Sequence, residues 1–242
     1  MKKKWTLIAF SLILGAAACS KTRQQIISPT PSDPIPVHQD STVNYTYLAL
    51  GDSYTIGQSV STADRFPAQT VQLLIEDSLR ATSLQYIATT GWTTASLLSA
   101  FASQNLIPNY DIVTLLIGVN DQYQGVDSAT YRTRFTKCLQ KAVQLSANRT
   151  ARVFVLSIPD YSATPFVPAS DKARVSREID WFNAINKQVS LQNNIAYIDI
   201  TPSTRLAATD PTLIANDGLH PSGKEYAVWA QMLAPFIKNA LK

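Results

Sequence analysis

The chain alternates short apolar runs with amphipathic stretches from residue 43 onward, and this alternation limits the folds that it can adopt. The strongest run, DIVTLLI, is β-branched and apolar almost throughout, as is typical of a central strand covered on both faces. The predicted strands are Tyr45–Leu50, Leu84–Ala88, Asp111–Ile117, Arg152–Ile158 and Ile195–Ile200. The predicted helices are Phe66–Arg80, Thr93–Gln104, Ser128–Ser146, Val175–Gln192 and Ser222–Leu241. The last helix begins with capping-box spacing between Ser222 and Glu225.

Strands that alternate with helices form βαβ units, whose right-handed crossovers give a parallel sheet with helices on both faces. We therefore predict a single α/β domain over residues 43–242, a three-layer α/β/α sandwich around a doubly wound, five-stranded parallel sheet. In such a sheet, ligands bind beyond the carboxyl ends of the strands. The residues directly after each predicted strand are therefore the first candidates for a functional site.

The first 42 residues differ in composition from the rest of the chain. Three lysines precede an apolar stretch, Trp5–Ala18, which is too short to span a membrane comfortably and is typical of a signal peptide. Small residues lead directly into Cys19, which resembles a bacterial lipoprotein signal, so we expect residues 1–18 to be removed and Cys19 to be lipidated. The alternative is an ordinary secretory signal cut after an alanine. Residues 19–42 are rich in proline and form a predicted tether, which places the domain at a membrane of the bacterial cell envelope, periplasmic or surface-exposed.

Charge and cysteine content exclude several classes of function. The formal net charge is +4, and loss of residues 1–18 with their three lysines leaves +1, which gives no electrostatic basis for binding nucleic acid. Of the two cysteines, Cys138 has no partner if Cys19 is acylated, so no disulfide is expected. The chain has only two histidines and no cysteine cluster, and we expect neither a metal ion nor a cofactor.

Polar and glycine residues follow the predicted strands at one edge of the sheet. GDS at 51–53 follows the first strand, Gly91 follows the second, GVND at 118–121 follows the third, and DGLHPS at 217–222 precedes the last helix. Each of these segments alone is a common turn or loop sequence. Their coincidence at the same edge of the sheet favours a catalytic site.

Acyl-transfer chemistry requires these residue types together. A serine hydroxyl such as that of Ser53 needs a base, and His220 is the candidate because the other histidine lies in the tether. Asp217, three residues earlier, can orient the imidazole through its Nδ1. The backbone N–H groups of Ser53 and Gly91 and the side-chain amide of Asn120 are candidate donors to the oxyanion.

The four blocks GDSYTIG, Gly91, GVND and DGLHPS resemble, in this order, those of the SGNH or GDSL hydrolase superfamily, and the resemblance covers residues 45–242. It implies a flavodoxin-like domain in which Ser53 is the nucleophile, His220 the base and Asp217 its orienting group. It also implies an oxyanion hole formed by Ser53, Gly91 and Asn120. The G-x-S-x-G motif of ordinary α/β-hydrolases is absent from the sequence.

The resemblance implies a small-molecule ester substrate, with membrane association only through the lipid anchor. Broad carboxylic ester or lysophospholipase-like hydrolysis is the first expectation. The alternatives are a carbohydrate O-acetylesterase or acyltransferase acting on envelope or dietary glycans, and a glycan-binding module without activity. Asp160 either contacts the substrate or forms a turn. The aromatic residues near the strand ends either line an acyl or sugar pocket or pack against the domain: Tyr54, Trp92, Tyr123, Tyr161 and Phe166.

Overall fold

The computed structural model describes residues 42–104 and 106–242. The predicted signal peptide, with Cys19 and nearly all of the predicted tether, lies outside these residues. The described strands are all parallel and form one sheet in the order β2-β1-β3-β4-β5. They are β1 Val43–Gly51, β2 Leu79–Ala88, β3 Ile112–Leu116, β4 Val153–Leu156 and β5 Ala196–Ile198.

Helices cover both faces of the sheet. They are α1 Ser53–Ile56, α2 Phe66–Ile75, α3 Thr94–Ser103, α4 Val119–Tyr123, α5 Ser128–Leu145, α6 Lys172–Gln192, α7 Thr201–Thr204 and α8 Gly223–Leu241. On one face α2 packs against α8, and on the other α5 packs against both α3 and α6. Every residue of β3 and β4 is buried between these layers, as their continuous apolar sequences predict. The predicted α/β/α sandwich with a five-stranded parallel sheet is therefore confirmed.

The sheet order explains where a ligand can bind. In the order 2-1-3-4-5, the chain leaves β1 toward one edge of the sheet and leaves β3 toward the other, so a crevice opens between the carboxyl ends of β1 and β3. The short helices α1 and α4 begin directly after these two strands. Neither helix was predicted, because four or five residues are too few to show helical periodicity.

The connection between α2 and β2 differs from the prediction. We expected a helix as far as Arg80 and a strand from Leu84, but α2 ends at Ile75 and β2 begins at Leu79. A turn at residues 76–78 separates them, with Ser78 in a left-handed conformation at φ 60°. Because Leu79 pairs with Val43, both strands begin earlier than the apolar pattern alone indicates.

The predicted capping box at the start of α8 forms only in part. The Ser222 hydroxyl accepts a hydrogen bond from the backbone N–H of Glu225 at 3.5 Å. The Glu225 carboxylate is buried and accepts instead from the Ser203 hydroxyl and the Trp229 indole. Glu225 thus joins α7 to α8 instead of closing the cap.

Two further features concern the membrane and the cysteine. Within residues 42–104 and 106–242, no helix is both long enough and apolar enough to cross a bilayer. Cys138 is a buried free thiol on the core side of α5, as expected for a small apolar residue.

Candidate active site

Ser53 is the first residue of α1 and lies immediately beyond β1. Asp52 caps the helix, because its Oδ1 accepts a hydrogen bond from the backbone N–H of Tyr54 at 3.0 Å. Gly51 permits the sharp turn, since a Cβ there would collide with the side chain of Thr55 and the carbonyl of Leu116 at the end of β3. The GDS sequence is therefore both a turn and the start of a helix that presents Ser53 at the β1–β3 crevice.

Asp52 is fully buried beneath this turn. Its Oδ2 has no hydrogen-bond partner among the described residues. Burial raises the pKa of Asp52 to about 8, although the hydrogen bond from the Tyr54 N–H lowers it. The sequence indicated only a turn residue at this position.

His220 and Asp217 form a pair within one tight turn before α8. Asp217 Oδ2 lies 2.6 Å from His220 Nδ1. Asp217 Oδ1 accepts the backbone N–H groups of Leu219 and His220, each at 2.9 Å. The imidazole is buried and packs against the ring of Tyr54, with 5.0 Å between the ring centroids. Both the turn and the aromatic contact therefore hold the orientation of the imidazole.

Ser59 also contacts this pair, which the sequence did not indicate. Its hydroxyl donates to Asp217 Oδ2 at 2.6 Å, across 158 positions of the chain. Partial burial raises the pKa of Asp217, but the hydrogen bonds from Ser59 and from the backbone N–H groups of His220 and Leu219 outweigh it and hold the pKa well below its usual value. Asp217 is therefore ionised across the neutral pH range.

Asn120 and Gly91 are joined through one loop. The Asn120 side-chain amide donates to the carbonyl of Trp92 at 3.0 Å. Gly91 has φ +82° in a turn that the Trp92 N–H closes onto the carbonyl of Thr89. A positive φ at this turn position favours glycine, which explains the residue type.

Asp121 also contacts the end of the loop between β2 and α3. It is buried, and its two carboxylate oxygens accept the backbone N–H and the hydroxyl of Thr94 at 2.7 and 2.6 Å. Thr94 is the first residue of α3 and follows the Gly91 turn closely. Asn120 and Asp121 together fix the β2–α3 loop against the end of β3. The sequence placed Asp121 within the GVND block but gave it no role.

One cavity of about 130 Å³ brings together three of the predicted site residues, Ser53, Asn120 and His220. Asp217 contacts Nδ1 of His220 but is not among the cavity-lining residues. Gly91 is exposed and is not among the cavity-lining residues. The remaining lining residues are Tyr54, Val119, Tyr123, Tyr161, Phe166 and Leu219.

Four of the five predicted aromatic candidates line this cavity, and Trp92 does not.

Asp160 is a structural residue. It is buried and accepts hydrogen bonds from the Ser176 hydroxyl and the Arg205 guanidinium, at 2.6 and 2.8 Å. It therefore caps the turn after β4 and is not among the cavity-lining residues. Within the described ranges, no group of three or more His, Cys, Asp or Glu side chains could hold a metal ion.

Comparisons with known proteins agree with this fold. A family model, the GDSL-like lipase/acylhydrolase family, matches residues 49–228. Similar solved structures include a lipase from a goat rumen metagenome, with 20% identity and a TM-score of 0.65 over 81% of this chain and 97% of that chain. Phospholipase A1 from Streptomyces albidoflavus has 18% identity and a TM-score of 0.63 over 79% and 98%. A variant of an acetyl xylan esterase from Geobacillus stearothermophilus has 18% identity and a TM-score of 0.60 over 81% and 96%.

At these identities the structural matches establish the fold. A comparison with curated protein sequences gives no match. The family model, in contrast, spans most of the chain, including the Ser53 turn, the GVND block and the turn that carries His220. The protein therefore belongs to the GDSL-like lipase/acylhydrolase family and is an ester hydrolase of the GDSL type.

Proposed function

We propose that the protein hydrolyses carboxylic esters through a Ser53–His220–Asp217 triad. The observation that carries the proposal is the cavity whose walls combine the Ser53 hydroxyl, the His220 imidazole and the Asn120 amide. These are the groups that nucleophilic attack, proton transfer and oxyanion stabilisation require. The hydrogen bond from His220 to Asp217 supports the tautomer that leaves Nε2 free to accept a proton.

The reaction has two stages in this proposal. Ser53 Oγ attacks the ester carbonyl while His220 takes its proton, and the oxyanion accepts hydrogen bonds from the Ser53 N–H and from the Asn120 amide, both of which belong to cavity-lining residues. The C–O bond then breaks, and His220 returns the proton to the leaving alcohol. Water next attacks the acyl-enzyme, with His220 acting again as the base, and releases the acid and free Ser53.

The size of the cavity favours a short acyl group. At about 130 Å³, it is much smaller than the roughly 300–1,000 Å³ of typical small-molecule sites. A carbohydrate O-acetylesterase is the second candidate, because exposed aromatic side chains border the cavity and an acetyl group fits a small acyl site. The structural similarity to an acetyl xylan esterase is consistent with this candidate.

Two measurements test the proposed chemistry. We expect a fluorophosphonate probe to label the protein once, at Ser53, and we expect Ser53→Ala to abolish both the labelling and the hydrolysis of p-nitrophenyl acetate. Across p-nitrophenyl esters from acetate to palmitate, kcat/KM should decline as the acyl chain lengthens. Full esterase activity in Ser53→Ala would refute the assignment, and a maximum at palmitate would refute the short acyl site.

Envelope anchoring through Cys19 is a further part of the proposal. A signal-like stretch directly before Cys19 and a proline-rich segment after it support secretion and lipidation. In a bacterial host, the protein should fractionate with membranes, and Cys19→Ala should move it to the soluble fraction. Continued membrane association of Cys19→Ala would contradict lipid anchoring.

A further inference from the structure

A second, larger cleft adjoins the Ser53 cavity. It has a volume of about 550 Å³ and lies between α4, the loop after β4 and the N-terminal half of α6. Three side chains, Tyr123, Tyr161 and Phe166, line both the cleft and the cavity. The cleft and the Ser53 cavity therefore lie on either side of one group of aromatic side chains.

Exposed aromatic rings border this cleft. Tyr123, Tyr161 and Phe166 pack together with 6.2–6.4 Å between their centroids. Tyr123 is 61% exposed and Phe166 47%, and Trp181 on α6 is 69% exposed. Tyr161 is itself buried, so the exposed rings are those of Tyr123, Phe166 and Trp181. Exposed apolar side chains that line one cleft are typical of a ligand-binding surface. Their flat apolar faces suit the C–H faces of sugar rings.

Polar groups form the floor of the cleft in a connected chain. The Tyr161 hydroxyl donates to Gln122 Oε1 at 2.8 Å, and Gln122 Nε2 donates to Glu178 Oε2 at 2.7 Å. Arg174 pairs with both Glu178 and Asp171. A long acyl chain in this cleft would remove these groups from water without offering them hydrogen bonds, which is unfavourable. Hydroxyl groups could both donate to and accept from them.

The charge of the cleft disfavours anionic ligands. Its lining carries three carboxylates, Asp127, Asp171 and Glu178, against one guanidinium, a net charge of −2. Arg174 already contacts two of these carboxylates, so it is not free to bind a phosphate. A phosphate-bearing lipid headgroup or thioester carrier would meet repulsion here.

We propose that this cleft binds the sugar units of a neutral oligosaccharide and presents an O-acyl group on that glycan to Ser53. The inference rests on the proposed ester hydrolysis and identifies the alcohol part of the substrate. Aromatic faces, a connected polar floor and a negative charge together fit a neutral polyol. The small Ser53 cavity takes the acyl group, and the cleft takes the sugar chain that leaves.

The test compares Trp181→Ala, Trp181→Phe and a control, Phe236→Ala. Trp181 lines the cleft but not the cavity, whereas Phe236 is 43% exposed on α8, in the opposite helix layer. The probes are p-nitrophenyl acetate and a panel of acetylated xylo-, manno- and cello-oligosaccharides. We expect Trp181→Ala to raise KM for the oligosaccharides that the wild type hydrolyses by about tenfold, with p-nitrophenyl acetate kinetics within about twofold. Trp181→Phe should keep most of the affinity, and Phe236→Ala should match the wild type.

The outcomes separate this inference from the proposed function. Hydrolysis of p-nitrophenyl acetate without hydrolysis of any acetylated oligosaccharide overturns the glycan cleft and leaves the esterase proposal standing. The same holds if Trp181→Ala and Phe236→Ala behave alike, or if an anionic lysophospholipid is the better substrate and its KM depends on Trp181. A wild-type protein that hydrolyses no ester and resists fluorophosphonate labelling refutes the proposed function itself.

Discussion

The Ser53 cavity and the neighbouring cleft share a wall but are built differently. In the cavity, short hydrogen bonds fix the side chains. Asp217 contacts His220 at 2.6 Å, and Asp121, which follows Asn120 in α4, accepts hydrogen bonds from Thr94 at the start of α3. In the cleft, large side chains such as that of Trp181 extend into solvent. The difference suggests that the chemistry depends on fixed geometry, while substrate choice depends on exposed side chains that can change without disturbing the fold.

Removal of the imidazole is the most severe test of this comparison. We expect His220→Asn to lower kcat by about 10⁴-fold or more, because no other described histidine can take the Ser53 proton. Trp181→Ala should leave kcat for p-nitrophenyl acetate unchanged. Assays of p-nitrophenyl acetate hydrolysis at saturating substrate concentration measure kcat for both variants. If His220→Asn kept more than about one per cent of kcat, catalysis would not depend on this cavity in the way proposed.

Truncation of Asn120 tests the oxyanion donor. We expect Asn120→Ala to reduce kcat by about 10²–10³-fold with little change in KM, since in the proposed mechanism the amide donates to the substrate oxygen mainly in the transition state. Because Asn120 also holds the Trp92 carbonyl, a thermal melt must show that the variant is folded. A folded Asn120→Ala with a raised KM and normal kcat would place Asn120 in substrate binding instead.

The sequence predicted the sheet and the chemical groups of the site better than the contacts that orient them. Continuous apolar runs such as Ile112–Leu116 identify central strands, and parallel topology brings their loops together. That Ser53, Asn120 and His220 lie at one cavity was predictable because each follows or precedes an element at one edge of the sheet, whereas their catalytic roles stay a prediction. The fold itself follows from periodicity that extends over many residues.

The remaining features depend on contacts between distant parts of the chain. Ser59 lies 158 positions from Asp217, and nothing in its local sequence indicates the hydrogen bond. The end of α2 was misjudged because the pairing of Leu79 with Val43 decides where β2 begins, and the local sequence does not show this contact. The position of Trp181 in the cleft was not predicted either, because Trp181 lies on an ordinary amphipathic helix.

The buried carboxyl group of Asp52, beneath the Ser53 turn, can be tested through the pH dependence of the stability of the protein. Its pKa is about 8 in the folded protein and about 3.9 in an unfolded chain. Between these values the folded state retains a proton that the unfolded state releases, so this group makes the protein less stable as pH rises from about 4 to about 8. Asp52→Asn has no such proton, and its Oδ1 can still accept the Tyr54 N–H.

We therefore expect the melting temperature of Asp52→Asn to increase relative to that of the wild type as pH rises. Between pH 5 and pH 8.5 the relative gain should reach about 4 kcal/mol, or roughly 8–16 °C. Asp210→Asn is the control, because hydrogen bonds from Lys224 and Thr212 lower the pKa of Asp210 to about 2, outside this range. Parallel curves for Asp52→Asn and the wild type would show that Asp52 is ionised beneath Ser53.

The smallest effect is expected for Ser59, whose hydrogen bond to Asp217 tests how the His220 imidazole is oriented. Ser59→Ala removes one of the hydrogen bonds to Asp217, and we expect kcat to fall about three- to tenfold with KM unchanged, because the backbone N–H groups of Leu219 and His220 still hold the carboxylate. Ser59 has φ 66°, so Ser59→Gly keeps the backbone conformation while it also removes the hydroxyl. Equal losses in the two variants would assign the effect to the hydroxyl, whereas a loss in Ser59→Ala alone would assign it to the backbone. Ser61→Ala, which removes a hydroxyl bonded to Asp64 in the same loop, should retain full activity. If all three variants were fully active, the short contact at Asp217 would be dispensable, and the turn before α8 would by itself be sufficient to orient His220.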